Sequence, residues 1–131
     1  MRRLIPLLSD RHPVLQVGLV LGGPVIFGAL CGWLLDVASA PYVIASVISI
    51  AGGFLAGFEH AGWRGGALRG VVGGVLFGSF ILVGHAIDGG DATVKLPDPH
   101  AVLVVATAIF GTILGALGGR ARGRAEVRAA A

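Results

Sequence analysis

Charge is what this chain has least of. Only 13% of its 131 residues are charged, against 55% hydrophobic, whereas a soluble domain carries about a quarter charged residues. That balance points to one membrane domain and leaves no room for a second. Cysteine is nearly absent too. Cys31 stands alone, so no internal disulfide can form. Lying mid-run in an apolar segment, it reads as a small packing residue and says nothing about redox compartment. Catalytic signatures are missing. There is no GxSxG elbow, and Ser79 in FGSF has no base paired with it. The glycine-rich segments follow no strand and contain no GK[ST], which argues against a nucleotide loop. The expectation is a non-enzymatic protein without a cofactor. The net charge of +3 does not indicate a nucleic-acid partner, because the basic residues sit at the ends of apolar runs, where membrane topology is decided.

Glycine, by contrast, is abundant, with 23 residues. In the stretch GWRGGALRGVVGGVLFGSFILVG, Gly62, Gly66, Gly70, Gly74 and Gly78 recur every fourth position. In water each interior glycine would weaken a helix by roughly 1 kcal/mol. In lipid the backbone must be paired within the segment, so the run is helical, and glycines four apart form a strip that another backbone can approach closely. Four steps overshoot one turn by about 40°, so the strip winds by about 160° from end to end. That winding predicts two contacts. Gly74 and Gly78 would meet a helix of the same chain, leaving Gly62 and Gly66 for the connection or a second subunit.

Four spans are expected. Residues 14–35 are 22 residues without a charge, roughly 33 Å as a helix, with a kink expected at Pro24. Ala38-Ser39-Ala40 has the look of a signal-peptide cleavage site, but the apolar run is too long for one, so it is read as a retained span. Pro41 opens the second span, 41–58. The third covers about 67–87, with Arg69 in its first turn, able to snorkel to the headgroups. Asp98-Pro99 reads as the start of the fourth span, about 99–119, followed by a frayed basic tail, 120–131. Pro6 makes a long amphipathic helix at the N-terminus unlikely to form, although Leu4 to Leu8 could rest on the membrane surface.

Nine of the ten Lys/Arg residues lie in the N-terminal segment, the 59–69 connection and the tail; Lys95 is the exception. The positive-inside rule then places both termini in the cytoplasm of a multi-pass cell-membrane protein. The halves also match. Gly18, Gly22 and Gly28 repeat as Gly74, Gly78 and Gly84 at an offset of 56. Pro41, Gly53 and Gly57 repeat as Pro99, Gly111 and Gly115 at an offset of 58. The expected fold is an all-α, four-helix polytopic bundle built as two parallel hairpin repeats about an axis along the membrane normal. Its candidate helix-packing residues are Gly18, Gly22, Gly53, Gly57, Gly66, Gly70, Gly74, Gly78, Gly111 and Gly115.

Polar residues in the spans are Gln16, Ser46, Ser49, Ser79, His85, Thr107 and Thr112, none of them acidic. Asp36, His85 and Asp88, with Asp91 and His100 nearby, form a candidate cation site on the outer face, since imidazole and carboxylate suit metal ions. Their spacing follows no metal motif, and an interfacial histidine is the plainer account of His85. Asp88-Gly-Gly-Asp91 opens like a calcium loop but lacks the later ligands. Glu59, His60 and Arg64 read as a solvated turn.

Residues 28–58, GALCGWLLDVASAPYVIASVISIAGGFLAGF, resemble the hairpin of the ATP synthase protein I family. A glycine-rich helix ends in Leu35-Asp36, and Pro41 begins a second glycine-rich helix. The resemblance covers about a quarter of the chain. It implies a protein that assists assembly of the synthase rotor ring, with a role for magnesium suggested in that family. The whole chain is similar in style to small glycine-rich four-helix membrane proteins. The expected function is to pack, oligomerise or assist assembly of a larger membrane complex, with the bilayer and a second copy or another membrane protein as partners. The alternative is an oligomeric small channel or transporter lined by Ser46, Ser49, Thr107 and Thr112.

Overall fold

The structure is a computed structural model and describes residues 6–131. Arg2, Arg3 and the beginning of the Leu4–Leu8 stretch lie outside the described residues. Four helices are long and apolar enough to cross a membrane: α1 (Pro13–Val37), α2 (Ser39–Phe58), α3 (Trp63–Asp88) and α4 (Ala101–Ala130). The shortest, α2, has 20 residues, about 30 Å, the thickness of the hydrocarbon core. Among the described residues there is no strand. The chain is thus an all-helical, multi-pass type of membrane protein.

The helix ends differ from the sequence expectations for local reasons. Ala38, in extended conformation, alone separates α1 from α2, so α2 starts at Ser39 and Pro41 falls in its first turn, where no N–H is needed. Gly62 enters α3 at φ +88°, a conformation open to glycine and strained for other residues. The helix therefore starts at Trp63, and Arg69 lies nearly two turns in. At the far end Gly89, in the left-handed conformation, donates its N–H to His85 O and stops α3. α4 begins later than expected, at Ala101. A tight turn comes first, with Val102 N–H on Pro99 O at 2.9 Å, and Asp98 does not cap the helix. The tail is helical to Ala130 instead of frayed. In α1, a wide π-helical turn at Gly18–Gly22 precedes Pro24. Pro24 offers no N–H to the carbonyl one turn back, and this wider turn absorbs the mismatch.

Helix α3 is the centre of the bundle. It packs along its length on α4 and, on another side, on α1, while α2 lies mainly against α4. Among the described residues α1 and α4 do not touch. Few side chains are fully enclosed: Cys31, Leu35 and Ile81 are the largest. Most large apolar side chains point outward, among them Ile26, Val43, Ile48, Leu68 and Phe110. An apolar exterior on this scale would be an aggregation hazard in water; against acyl chains it needs no cover.

Candidate functional site

The closest approach in the molecule is the seam between α3 and α4. A Cβ added to Gly66 would strike the Gly115 carbonyl, and one on Gly115 the Gly66 carbonyl. Gly70 and Gly111 stand in the same reciprocal relation, Gly119 abuts the Gly62 carbonyl, and Gly74 meets Thr107 O. At the end of the seam, Gly78 lies against Thr107 and the Val104 Cα. Except at Gly78, each of these glycine Cα–H groups therefore points at a carbonyl oxygen across the seam. Such Cα–H···O contacts recur at close helix crossings and contribute about 0.5–1 kcal/mol each.

One helix thus covers the strip from Gly66 to Gly78, which corrects the expectation that Gly66 is left for the connection or a second subunit; Gly62, in the connection, contributes its carbonyl to Gly119. The reason lies in the facing sequence. Gly111, Gly115 and Gly119 repeat with the same four-residue period. A period longer than 3.6 lets two helices stay in register by winding about each other in a right-handed sense.

Other glycines fill two further crossings. Gly57 lies against Gly115, where a Cβ would come 2.6 Å from the Gly115 Cα, and Gly118 lies against Phe54 O. Between α1 and α3, Gly28 faces Phe77, Gly32 faces Ile81, and Gly84 faces Ala29. Gly119 continues the four-residue run of Gly111 and Gly115 legible in the sequence, whereas Gly32 and Gly118 stand outside the sequence candidates, although Gly28 and Gly32 share that spacing. Gly53 has only an ordinary contact, 3.9 Å to Leu114 Cδ1, and Gly18 and Gly22 have nothing within 4 Å. Among the candidate packing residues, these last two are the ones not brought against another helix.

Polar groups sit at the two ends of the bundle. On the side of the α1 C-terminus, His85 Nδ1 and Asp36 Oδ1 are 2.5 Å apart, with the Asp36 side chain only 1% exposed. The second oxygen, Oδ2, has no partner. Asp36 thus approaches His85 from the neighbouring parallel helix. Asp88 is exposed and does not join them as a ligand: among the described residues no three His, Cys, Asp or Glu side chains group as a metal site. The loop after α3 folds over this end, where Thr93 N–H and Oγ1–H both donate to Leu35 O, at 2.9 and 2.7 Å. They satisfy a carbonyl in the last turn of α1 that has no helical partner.

On the opposite side, Arg69 binds within the bundle. Its guanidinium donates to Leu19 O in the π turn of α1 at 3.0 Å. Arg11 pairs with Glu59 at 2.5 Å, and Leu8 N–H donates to Glu59 O, so the N-terminal segment is fastened to the α2–α3 connection. His60 Nδ1 lies 3.0 Å from Ala56 O. Arg122, 6% exposed, donates to Phe58 O and to Glu126 Oε1, a cation at the C-terminus of α2, where the helix dipole favours it. Glu59 and His60 are therefore engaged in the structure of the turn.

Three of the candidate pore hydroxyls bond to their own helices: Ser49 to Ala45 O, Thr107 to Leu103 O and Thr112 to Ala108 O. Ser46 Oγ is buried without a partner.

No protein-family description, curated protein or solved structure matches this chain.

Proposed function

We propose that this is a non-enzymatic membrane protein that works by helix packing: it oligomerises, or assists assembly of a larger membrane complex, through glycine-bearing faces of α1 and α2. The observation that supports this is the division among its glycines. Gly66, Gly70, Gly74, Gly111, Gly115 and Gly119 are engaged at the seam within the chain, whereas Gly18, Gly22 and Gly52 of α1 and α2 have nothing within 4 Å. Gly18 and Gly52 lie one to two turns from the same side of the bundle. An open glycine in a lipid-facing helix suits the backbone of one more helix. The resemblance of residues 28–58 to ATP synthase protein I makes a rotor-ring complex one partner to test.

The test is the assembly state of the full-length protein in mild detergent, by light scattering, with partner capture from its own membranes. Gly18→Ile with Gly22→Ile should abolish association and leave the melting temperature of the monomer nearly unchanged. Association that survives the double substitution would remove the proposal. Solute flux in liposomes would favour the channel reading instead.

The proposed orientation puts both termini in the cytoplasm, supported by the nine basic residues on one side. With Cys31 replaced by Ala, Asp91→Cys should react with an impermeant maleimide on intact cells; reaction only after lysis would invert the topology. A duplicated hairpin remains the proposed origin of the matched glycines, with a slipped register. A two-fold along the membrane normal would set residues 56 apart level with each other. The pairs that meet range from 49 apart, as in Asp36 and His85, to 55 apart, as in Ala29 and Gly84, a slip of up to about two turns.

A further inference from the structure

We propose that the end of α4 and the start of α3 form a binding site for one anionic phospholipid. An open groove of about 520 Å³ runs between these elements, lined by Gly62, Trp63, Gly119 and Gly123, with Val127 and three arginines. The floor is flat and apolar because Gly119 and Gly123 present no side chain. Trp63, 56% exposed, forms a wall, and tryptophan favours the headgroup level of a bilayer.

The arginines are Arg120, Arg124 and Arg128, spaced four apart and so on one face of the helix. Arg122 is on a different face and is engaged with Phe58 and Glu126. Glu126, the acid nearest in sequence, bonds Arg122, and among the described residues no acidic side chain lines the groove. The positive row is thus left for an anion from outside the chain.

Helix length sets the depth. α4 has 30 residues, about 45 Å, against a hydrocarbon core of about 30 Å. With Ala101 at one boundary, the opposite boundary falls near Arg120. Arg120 and Arg124 then stand at phosphate level, with the glycine floor and Trp63 beside the acyl chain. A soluble anion would use the arginines and leave the apolar floor empty; a lipid with an anionic headgroup uses both.

The test is native mass spectrometry of the full-length protein in detergent, titrated with phosphatidylglycerol, phosphatidylcholine or inorganic phosphate. One phosphatidylglycerol should be retained per chain, with phosphatidylcholine bound far more weakly and millimolar phosphate failing to displace the lipid. Arg120→Gln with Arg124→Gln should weaken retention by about thirtyfold. Gly123→Leu, which keeps every charge and fills the floor at a position with nothing within 4 Å, should weaken it at least tenfold. Lys95→Gln should change nothing. Equal retention of the two lipids, or full retention by the double arginine variant, would overturn the site. Full retention by Gly123→Leu would reduce it to a surface charge effect and overturn the groove. Displacement by phosphate would assign the arginines to a soluble anion instead. The substituted residues lie outside the α3–α4 seam, and unchanged melting curves without lipid would verify the fold of each variant.

Discussion

Helix α3 holds its two main neighbours by different means. Against α4 it uses backbone: glycine Cα atoms of one side face carbonyl oxygens of the other from Gly62 to Gly74. Against α1 it also uses glycines, at Gly28, Gly32 and Gly84, but polar side chains fasten the contact at both ends. Arg69 reaches Leu19 O on one side, and Asp36 meets His85 on the other. The backbone seam has no room for added atoms, and no ionisable side chain takes part in its glycine contacts. The α1 contact is assembled from separable parts. Bulk should therefore disrupt the first interface, and loss of single hydrogen bonds should weaken the second in steps.

The largest expected effect breaks the seam. Gly70→Ile would drive a side chain into the Gly111 carbonyl and the Thr112 Cα, and should cost about 3 kcal/mol or more. Gly52→Ile, at a position with nothing within 4 Å, should cost less than about 1 kcal/mol in the isolated chain. Thermal melts in detergent measure both, and similar melting temperatures would mean that the seam is not a packing surface of consequence.

Next comes the buried acid. Asp36→Ala removes the acceptor of the His85 N–H and leaves an imidazole donor in a half-buried position, a loss of about 1–3 kcal/mol. Histidine NMR should register the change at His85 and leave His60 unaltered. A shift at both would mean that the substitution disturbs the whole bundle and not one end of one contact.

These contrasts mark how far the residues could be read before their packing was seen. The four spans follow from uncharged length, and the four-residue glycine period marks the seam. The number of neighbours on the strip was not legible from α3 alone, because it depends on α4 presenting the same period. Asp36 and His85 stand near the same ends of two parallel helices, which brings them within reach. Asp88 is only three residues further on, yet it is exposed at the end of α3, while the chain beyond it folds back so that Gly90 lies against Asp36. The partner of Arg69 was hidden for a simpler reason. Gly62 starts the helix four residues earlier than expected, which places Arg69 in the second turn, and the acceptor that meets it is a backbone carbonyl with no sequence signature. Gly18 and Gly22 match Gly74 and Gly78 in spacing but not in surroundings, since spacing records a shape and not the presence of a partner.

Arg69→Met sharpens the comparison at the π turn. It removes the donor to Leu19 O while retaining an apolar side chain beside Pro24. The expected cost is about 1–2 kcal/mol, read as faster amide exchange within Gly18–Gly22 with the α3–α4 seam still protected. Uniformly faster exchange across all four helices would deny that α1 is fastened by separable contacts.

The smallest effect should come from Thr93, and it tests whether those contacts are additive. Thr93 supplies two donors to one acceptor, Leu35 O. Thr93→Val keeps the size and branching of the side chain and the backbone N–H, and removes only Oγ1. Because Leu35 O retains one partner, no buried carbonyl is orphaned, and the cost should fall near the low end for a hydrogen bond, about 0.5–1 kcal/mol. Thr93→Pro removes the backbone donor as well as the hydroxyl and leaves Leu35 O without either partner, so its effect should exceed that of Val by at least the same amount. Combined with Gly70→Ile, Thr93→Val should add its own cost without amplification, since the two act on different neighbours of α3. A double variant much less stable than the sum would show that the two sides of α3 are coupled and that the division between them is one of chemistry alone.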